Sequence, residues 1–210
     1  MIEIDSTRTA LLVMDFQNDM VDPEGAFASQ GWASQVQETR AIENTARALA
    51  AARSARLPVV HVGVAWRPGH PEANDRAPLF AGVRQANGLV EGTWGVEFHS
   101  ELEPADRELV IRKRGVSALA GTELDRFLRL SDISAVVLTG FATTWVVEGT
   151  ARDAVDRGYS VIVLADCCAT FTEEMQRFAL EVTLPLLGTV TTAEEFASAV
   201  AGVPAQLTRA

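Results

Sequence analysis

The chain has 210 residues, 48% of them hydrophobic, and its 28 acidic against 18 basic residues give a net charge of −10. Such an acidic balance argues against nucleic acid or an anionic membrane as a partner, and no apolar run reaches the length of about eighteen residues that a membrane-spanning helix needs. We predict a single domain over residues 1–210. We also expect a cytoplasmic location, because the N-terminal segment lacks the basic and apolar regions of a signal peptide.

Predicted strands and helices alternate along the chain. Apolar runs rich in β-branched residues predict strands at 10–14, 58–64, 108–111, 135–139, 160–165 and 188–191. Helical spacing of apolar residues predicts helices at 36–53, 122–130, 146–157 and 173–184. This alternation is typical of a three-layer α/β/α sandwich with a mostly parallel sheet of about six strands. The longest irregular region, 67–103, indicates a functional loop or a contact surface.

Charged residues follow the first and third predicted strands. Asp15 opens the segment DFQND directly after the first strand, and Lys113 is the middle residue of the basic cluster RKR after the third. Open α/β sheets present their ligand-binding groups at the carboxyl ends of the strands, so Asp15 is a candidate catalytic residue. The alternative for Asp15 is a turn-capping role, and a basic cluster by itself is more typical of a solvated strand end.

The segment after the fourth predicted strand has the pattern of an active-site turn. Residues 135–154, AVVLTGFATTWVVEGTARDA, pass from an apolar run through a glycine turn into a helix, whose first N–H groups can bind a ligand. The segment resembles the isochorismatase-like, or cysteine hydrolase, superfamily, whose usual form is G-x-A-T-N-x-C-V-E-S-T-A-R-D-A. Gly140, Ala142, Thr143 and most of 147–154 match this form. Val146 occupies the position of the nucleophilic cysteine.

The resemblance extends to the ends of the first and third strands. The family motif D-x-Q-N-D-x-x-D-P-x-G begins at Asp15, and the family lysine that pairs with this aspartate matches Lys113. The resemblance therefore implies that Asp15 is the acid–base catalyst. It also implies a non-proline cis peptide at Phe141-Ala142, and we expect the backbone N–H groups of Ala142 and Val146 to donate to a substrate oxygen.

Two functions fit a family member with valine at the nucleophile position. The first is a small-molecule hydrolase that cleaves a vinyl ether or a C–N bond through Asp15 acid–base chemistry and Lys113, since the isochorismatases of this superfamily also lack the cysteine. The second is a catalytically inactive member that binds a small ligand or serves a scaffold role. Family members are commonly homo-oligomers, so we expect self-association, with the region near Trp94 as the place for a subunit contact.

Further site residues are expected at the same strand ends and among the aromatic residues near them. We predict substrate contacts from Phe16, Gln17, Trp66, Trp94, Phe141, Ala142, Thr143 and Trp145. No metal or other cofactor is expected, because His61, His70 and His99 lack metal-ligand spacing. The adjacent Cys167 and Cys168 are predicted to be buried small residues.

Overall fold

A single parallel sheet forms the centre of the computed structural model, which describes residues 2–73 and 76–201. Its strands are β1 Thr9–Met14, β2 Val59–Val64, β3 Leu109–Lys113, β4 Ala135–Phe141, β5 Ser160–Ala169 and β6 Thr189–Thr191. They lie in the order β3-β2-β1-β4-β5-β6, and every neighbouring pair is parallel. The predicted α/β architecture is confirmed. The single domain over 1–210 stays a prediction, because Met1, 74–75 and 202–210 lie outside the described residues.

Helices cover both faces of the sheet. They are α1 Asn18–Val21, α2 Trp32–Thr39, α3 Ala41–Ser54, α4 Pro78–Ala86, α5 Leu124–Leu130, α6 Glu148–Asp156, α7 Glu173–Phe178 and α8 Ala193–Ala201. Helices α3 and α8 pack with Leu11 and Val13 of β1, whereas α5 and α6 pack with Ala10 and Leu12. Successive strand residues point to opposite faces, so β1 is buried along its whole length. None of the described helices is long and apolar enough to cross a membrane.

The helix predicted at 36–53 is two helices in the structure. Helix α2 ends at Thr39, α3 begins at Ala41, and Arg40 between them has a left-handed φ of 54°. The Arg40 N–H donates to the carbonyls of Val36 and Gln37, which closes α2. Because the apolar spacing continues through both helices, periodicity alone could not show the break.

The region predicted to be irregular, 67–103, contains α4 and two short 3-10 helices among its described residues. It forms a separate apolar core in which Val83 of α4 packs with Trp66 and Leu89. Asp19 of α1 fastens this region to the rest of the domain. Its Oδ2 accepts the Leu89 N–H at 2.6 Å, and its Oδ1 accepts the Ala26 N–H at 3.0 Å. The described residues of this region therefore provide a wall beside the ends of the strands.

Two predicted helices contain π-helical turns. The helix predicted at 146–157 is preceded by a π-helical turn over Thr143–Val147 and becomes α-helical at Glu148. The helix predicted at 173–184 is α-helical as far as Phe178 and π-helical over Ala179–Thr183. Such turns are frequent at functional sites. The first of them lies directly after β4, at the position of the active-site turn.

Candidate active site

The candidate site lies where the strand order of the sheet reverses. The chain places β2 and β3 on one side of β1 and then returns to place β4 on its other side. At such a switch point the carboxyl ends of the strands open a crevice. Asp15 follows β1, Lys113 is the last residue of β3, and Phe141 is the last residue of β4. Three predicted site residues therefore reach one crevice from three strands.

Asp15 and Lys113 form a buried ion pair. The Lys113 Nζ lies 2.7 Å from Asp15 Oδ2, and the two side chains are 0% and 1% exposed, respectively. The same Nζ donates to the Val116 carbonyl at 2.5 Å. Asp15 Oδ1 has no hydrogen-bond partner among the residues that the structure describes, and Asp15 has a left-handed φ of 57°. Both features cost free energy, and such costs are concentrated at functional sites.

The pKa of Asp15 is raised to about 6 by burial, against the opposing charges of Lys113 and Arg112. Burial has this effect because the carboxylate loses its hydration while the neutral acid loses little. A carboxyl group that titrates near pH 6 can act as an acid or a base close to neutral pH. Arg112 lies outside the pair, since its Nη1 donates to the Val96 carbonyl at 3.0 Å and its guanidinium lies 5.2 Å from the Phe98 ring centroid.

The turn after β4 carries Val146 to the site. Gly140 has a φ of 157°, and a Cβ at this position would lie 2.6 Å from the Met14 carbonyl oxygen. Glycine therefore permits the close approach of β4 to β1. The Phe141-Ala142 peptide is cis, as the resemblance implied. Beyond it, Val146 lies in the wall of a cavity with 6% of its surface exposed.

The N–H groups of the π-helical turn are used within the turn itself. Those of Trp145, Val146 and Val147 point to the Ala142 carbonyl oxygen, with N–O distances of 3.2, 2.8 and 3.3 Å. The expectation that the Val146 N–H donates to a substrate oxygen is therefore not met in this structure, because the winding of the turn directs that N–H back along the chain. A donor role for the Ala142 N–H stays a prediction.

A cavity of about 50 Å³ opens beside the ion pair. Among the described residues, its wall has no ionisable side chain apart from the two of the pair, and it is rich in aromatic rings from Phe27, Trp32, Trp66, Phe80, Phe141, Trp145 and Phe171. Several of these rings are in contact. The Trp32 ring lies 4.8 Å from Phe27 and 5.2 Å from Phe171, which in turn lies 4.5 Å from Trp145. Such a wall favours a ligand with an apolar body.

Four of the predicted substrate-binding residues line this cavity, namely Trp66, Phe141, Ala142 and Trp145. Other wall residues were not predicted, among them Met20, Phe27, Trp32, Leu79, Phe80, Val83, Leu89 and Phe171. Most of these come from α1, α2, α4 and the loops beside them, and no sequence pattern shows that these apolar faces turn toward the strand ends. Phe171 could have been found, because it closely follows β5 just as Asp15 follows β1.

The other four predicted substrate-binding residues lie away from the cavity wall, namely Phe16, Gln17, Trp94 and Thr143. The Gln17 side-chain amide donates to the carbonyls of Val64 and Val96 at 2.8 Å each and accepts the Val64 N–H at 2.7 Å. Thr143 Oγ1 donates to Gln176 Oε1 at 2.6 Å. Phe16 is buried in the core, and Trp94 is 47% exposed. Gln17 therefore braces the backbone beside the site, whereas Thr143 contacts another side chain.

No replacement nucleophile lines the cavity, whose wall contains no serine, threonine, cysteine or histidine among the described residues. Cys167 and Cys168 are buried, as predicted, and burial raises the pKa of the Cys168 thiol to about 12. His61 lies within β2 and its Nε2 contacts Glu108 Oε2 at 2.9 Å. Within residues 2–73 and 76–201, no group of three or more His, Cys, Asp or Glu side chains is arranged to hold a metal ion.

A six-stranded parallel sheet with helices on both faces and a crevice at the point where its strand order reverses defines the open, doubly wound class of α/β proteins. The chain belongs to the isochorismatase family, because the model of the isochorismatase domain matches residues 9–195. It is 33% identical to ureidoacrylate amidohydrolase RutB of Methylobacterium radiotolerans, over 98% of this chain and 84% of that protein.

Solved structures agree with this assignment. A cysteine hydrolase from Pseudomonas syringae superposes with a TM-score of 0.83 at 27% identity and covers 96% of each chain. N-carbamoylsarcosine amidase from Thermoplasma acidophilum superposes with a TM-score of 0.71 at 27% identity, over 89% of this chain and 97% of that one. Self-association and a cytoplasmic location stay predictions from the sequence.

Proposed function

We propose that this chain hydrolyses a small molecule without a cysteine nucleophile, through acid–base chemistry at Asp15 with Lys113 as its charged partner. The ion pair itself is the observation that carries the proposal, since two charges at most 1% exposed face a cavity whose wall is otherwise apolar. Removing charged groups from water is expensive, and a pair of apolar side chains would often be at least as stable. A chemical role accounts for the presence of the pair.

Cleavage of a C–N bond would begin with Asp15 as a base. The carboxylate takes a proton from a water molecule, and the water oxygen attacks the carbonyl carbon of the substrate. Asp15 then gives this proton to the leaving nitrogen as the C–N bond breaks. The Lys113 ammonium group, 2.7 Å from Asp15 Oδ2, stabilises negative charge at the site. The relatives named ureidoacrylate amidohydrolase and N-carbamoylsarcosine amidase favour this bond type.

Cleavage of a vinyl ether would begin with Asp15 as an acid. The protonated carboxyl group gives its proton to the vinyl carbon, and water adds to the resulting oxocarbenium carbon while one of the water protons returns to Asp15. The hemiketal formed in this way collapses to a carbonyl group, and its C–O bond to the alcohol breaks as the hydroxyl proton passes to the leaving oxygen. Because the pKa of Asp15 is raised to about 6, both protonation states are available close to neutral pH. The two reactions differ in their pH profiles, since base chemistry rises and acid chemistry falls as the pH increases through about 6.

Ligand binding without turnover is the second candidate function. Val146 favours it, because this side chain cannot attack a substrate and the described part of the cavity wall offers no other nucleophile. The ion pair would then serve recognition, as polar groups do at the bottom of apolar binding pockets.

The decisive experiment follows ammonia release from a panel of amides, ureas and ureido acids, and pyruvate release from isochorismate. The unaltered chain, Asp15→Asn and Val146→Cys are compared under the same conditions. Release by the unaltered chain that is lost in Asp15→Asn supports the proposal. Release by Val146→Cys alone would favour the binding protein, and equal release by the unaltered chain and Asp15→Asn would refute the role of Asp15.

A further inference from the structure

At neutral pH, where the Asp15 carboxyl group is mostly ionised, the cavity carries no uncompensated charge. The Asp15 carboxylate and the Lys113 ammonium group neutralise each other at 2.7 Å, and the remaining described wall residues are uncharged. The nearby Arg112 guanidinium is bonded to a backbone carbonyl and lies over an aromatic ring outside the wall. A charged ligand would therefore lose its hydration without gaining a free counter-ion, which is a large penalty in an apolar site.

Apart from Asp15 Oδ2, which pairs with the Lys113 ammonium group, two buried polar atoms of the wall residues lack hydrogen-bond partners within the described residues. Asp15 Oδ1 is an acceptor and Trp66 Nε1 is a donor, and both side chains are almost completely buried. Buried polar groups without partners are rare and costly, so each of them indicates a place for a ligand group. A neutral amide or urea head group offers an N–H for the first atom and a carbonyl oxygen for the second.

We infer that the cavity binds uncharged ligands with a planar apolar body and one small polar head group more tightly than it binds carboxylates or organic cations of the same shape. The aromatic wall contacts the body, and the two unpartnered atoms bind the head. This inference deepens the proposed function and rests on it for the bond that is cleaved. The part of the inference that concerns binding is independent of the proposed function, because binding can be measured without turnover.

The size of the cavity adds a condition to ligand entry. Apolar cavities of about 150 Å³ hold a benzene ring, whereas this cavity measures about 50 Å³. Trp145 lies in the wall and is 36% exposed, and its ring packs 4.5 Å from Phe171. We therefore expect the Trp145 side chain to turn outward when a ring enters.

The test uses benzamide, benzoate and benzamidine, three probes of nearly equal shape that are neutral, anionic and cationic at neutral pH. Calorimetric titration of the unaltered chain should give a benzamide Kd at least about tenfold below those of the other two. Equal or tighter binding of benzoate or benzamidine would overturn the inference. So would the absence of saturable benzamide binding up to about 10 mM, a concentration at which a fragment of this size should bind a matched pocket.

Two variants locate the binding site. Trp145→Ala should change the benzamide Kd by at least about fivefold, whereas Trp94→Ala, which removes an exposed indole away from the wall, should leave it within about twofold. In Asp15→Asn the Lys113 ammonium group loses its counter-charge, so benzoate should gain affinity relative to benzamide. An unchanged Kd in Trp145→Ala would place the binding elsewhere and refute the inference. Selective benzamide binding, together with no release of ammonia or pyruvate from any compound of the substrate panel, would refute the proposed function alone.

Discussion

Replacing Asp15 with asparagine should change how stability depends on pH. Burial raises the pKa of this carboxyl group from its ordinary value of 3.8 to about 6. Between these two values the folded chain holds a proton that the unfolded chain has released. The group therefore contributes stability that is complete below about pH 4 and is lost as the pH rises through 6. A difference of about two pKa units corresponds to about 3 kcal/mol.

Urea denaturation at a series of pH values from 4 to 7 measures this contribution. The free energy of unfolding of the unaltered chain, minus that of Asp15→Asn, should fall by about 2.5 kcal/mol over the series, with a slope that approaches about 1.4 kcal/mol per pH unit between the two pKa values. The change with pH is the diagnostic quantity, because the variant also leaves Lys113 without its partner. Asp15→Asn combined with Lys113→Met is the matched control, in which neither position titrates. A difference that stays constant from pH 4 to 7 would refute a raised pKa.

Three further predictions concern other positions. Val146→Cys places a thiol in the cavity wall, so iodoacetamide should add one adduct to the folded variant and none to the unaltered chain, whose two cysteines are buried. Equal labelling by mass spectrometry would contradict this. Asp19→Ala leaves the N–H groups of Ala26 and Leu89 without their acceptor and should lower the free energy of unfolding by about 3 kcal/mol, against about 0.5 kcal/mol or less for the exposed Asp106→Ala. Similar losses in the two variants would show that the Asp19 bonds contribute little. Glu108 has its pKa lowered to about 2 because hydrogen bonds from Arg53, the Ala105 N–H and His61 outweigh its burial. The Glu108 carboxylate contributes stability that is present above pH 4.5 and is lost as the pH falls through about 2. Over this pH range the free energy of unfolding of Glu108→Gln should therefore fall less than that of the unaltered chain. Equal falls in the two proteins would refute this prediction.

The sheet could be predicted from sequence because buried parallel strands are short, apolar and β-branched along their whole length. All six strands lie at the predicted positions, although β3, β4 and β5 extend further toward the site. The division between α2 and α3 could not be predicted, since Arg40 is an ordinary residue that adopts a left-handed φ only in the folded chain. Helix α4 was hidden for a similar reason, because the glycines and prolines around it are typical of a loop.

The chemical groups of the site could be predicted, whereas most of its wall could not. Asp15 and Lys113 stand at strand ends, and a parallel topology brings such ends together whatever the sequence between them. The wall residues Trp32 and Phe80 come from helices packed over the strand ends, and their positions depend on tertiary contacts. Gln17 shows the opposite case, because its position at a strand end suggested a ligand contact and its amide instead holds the backbone of the neighbouring strand.

The ion pair has a further consequence for the motions of the sheet. Strand β3 lies at the sheet edge and is hydrogen-bonded on one side only, to β2. Edge strands of this kind open locally at low free-energy cost. Lys113, the last residue of β3, reaches past β2 to Asp15 at the end of β1 and so anchors the free strand. Proton uptake by Asp15 weakens this anchor. The protection factors of the β3 amides against hydrogen exchange should therefore decrease below about pH 6. The local opening of an edge strand would then report the protonation state of Asp15.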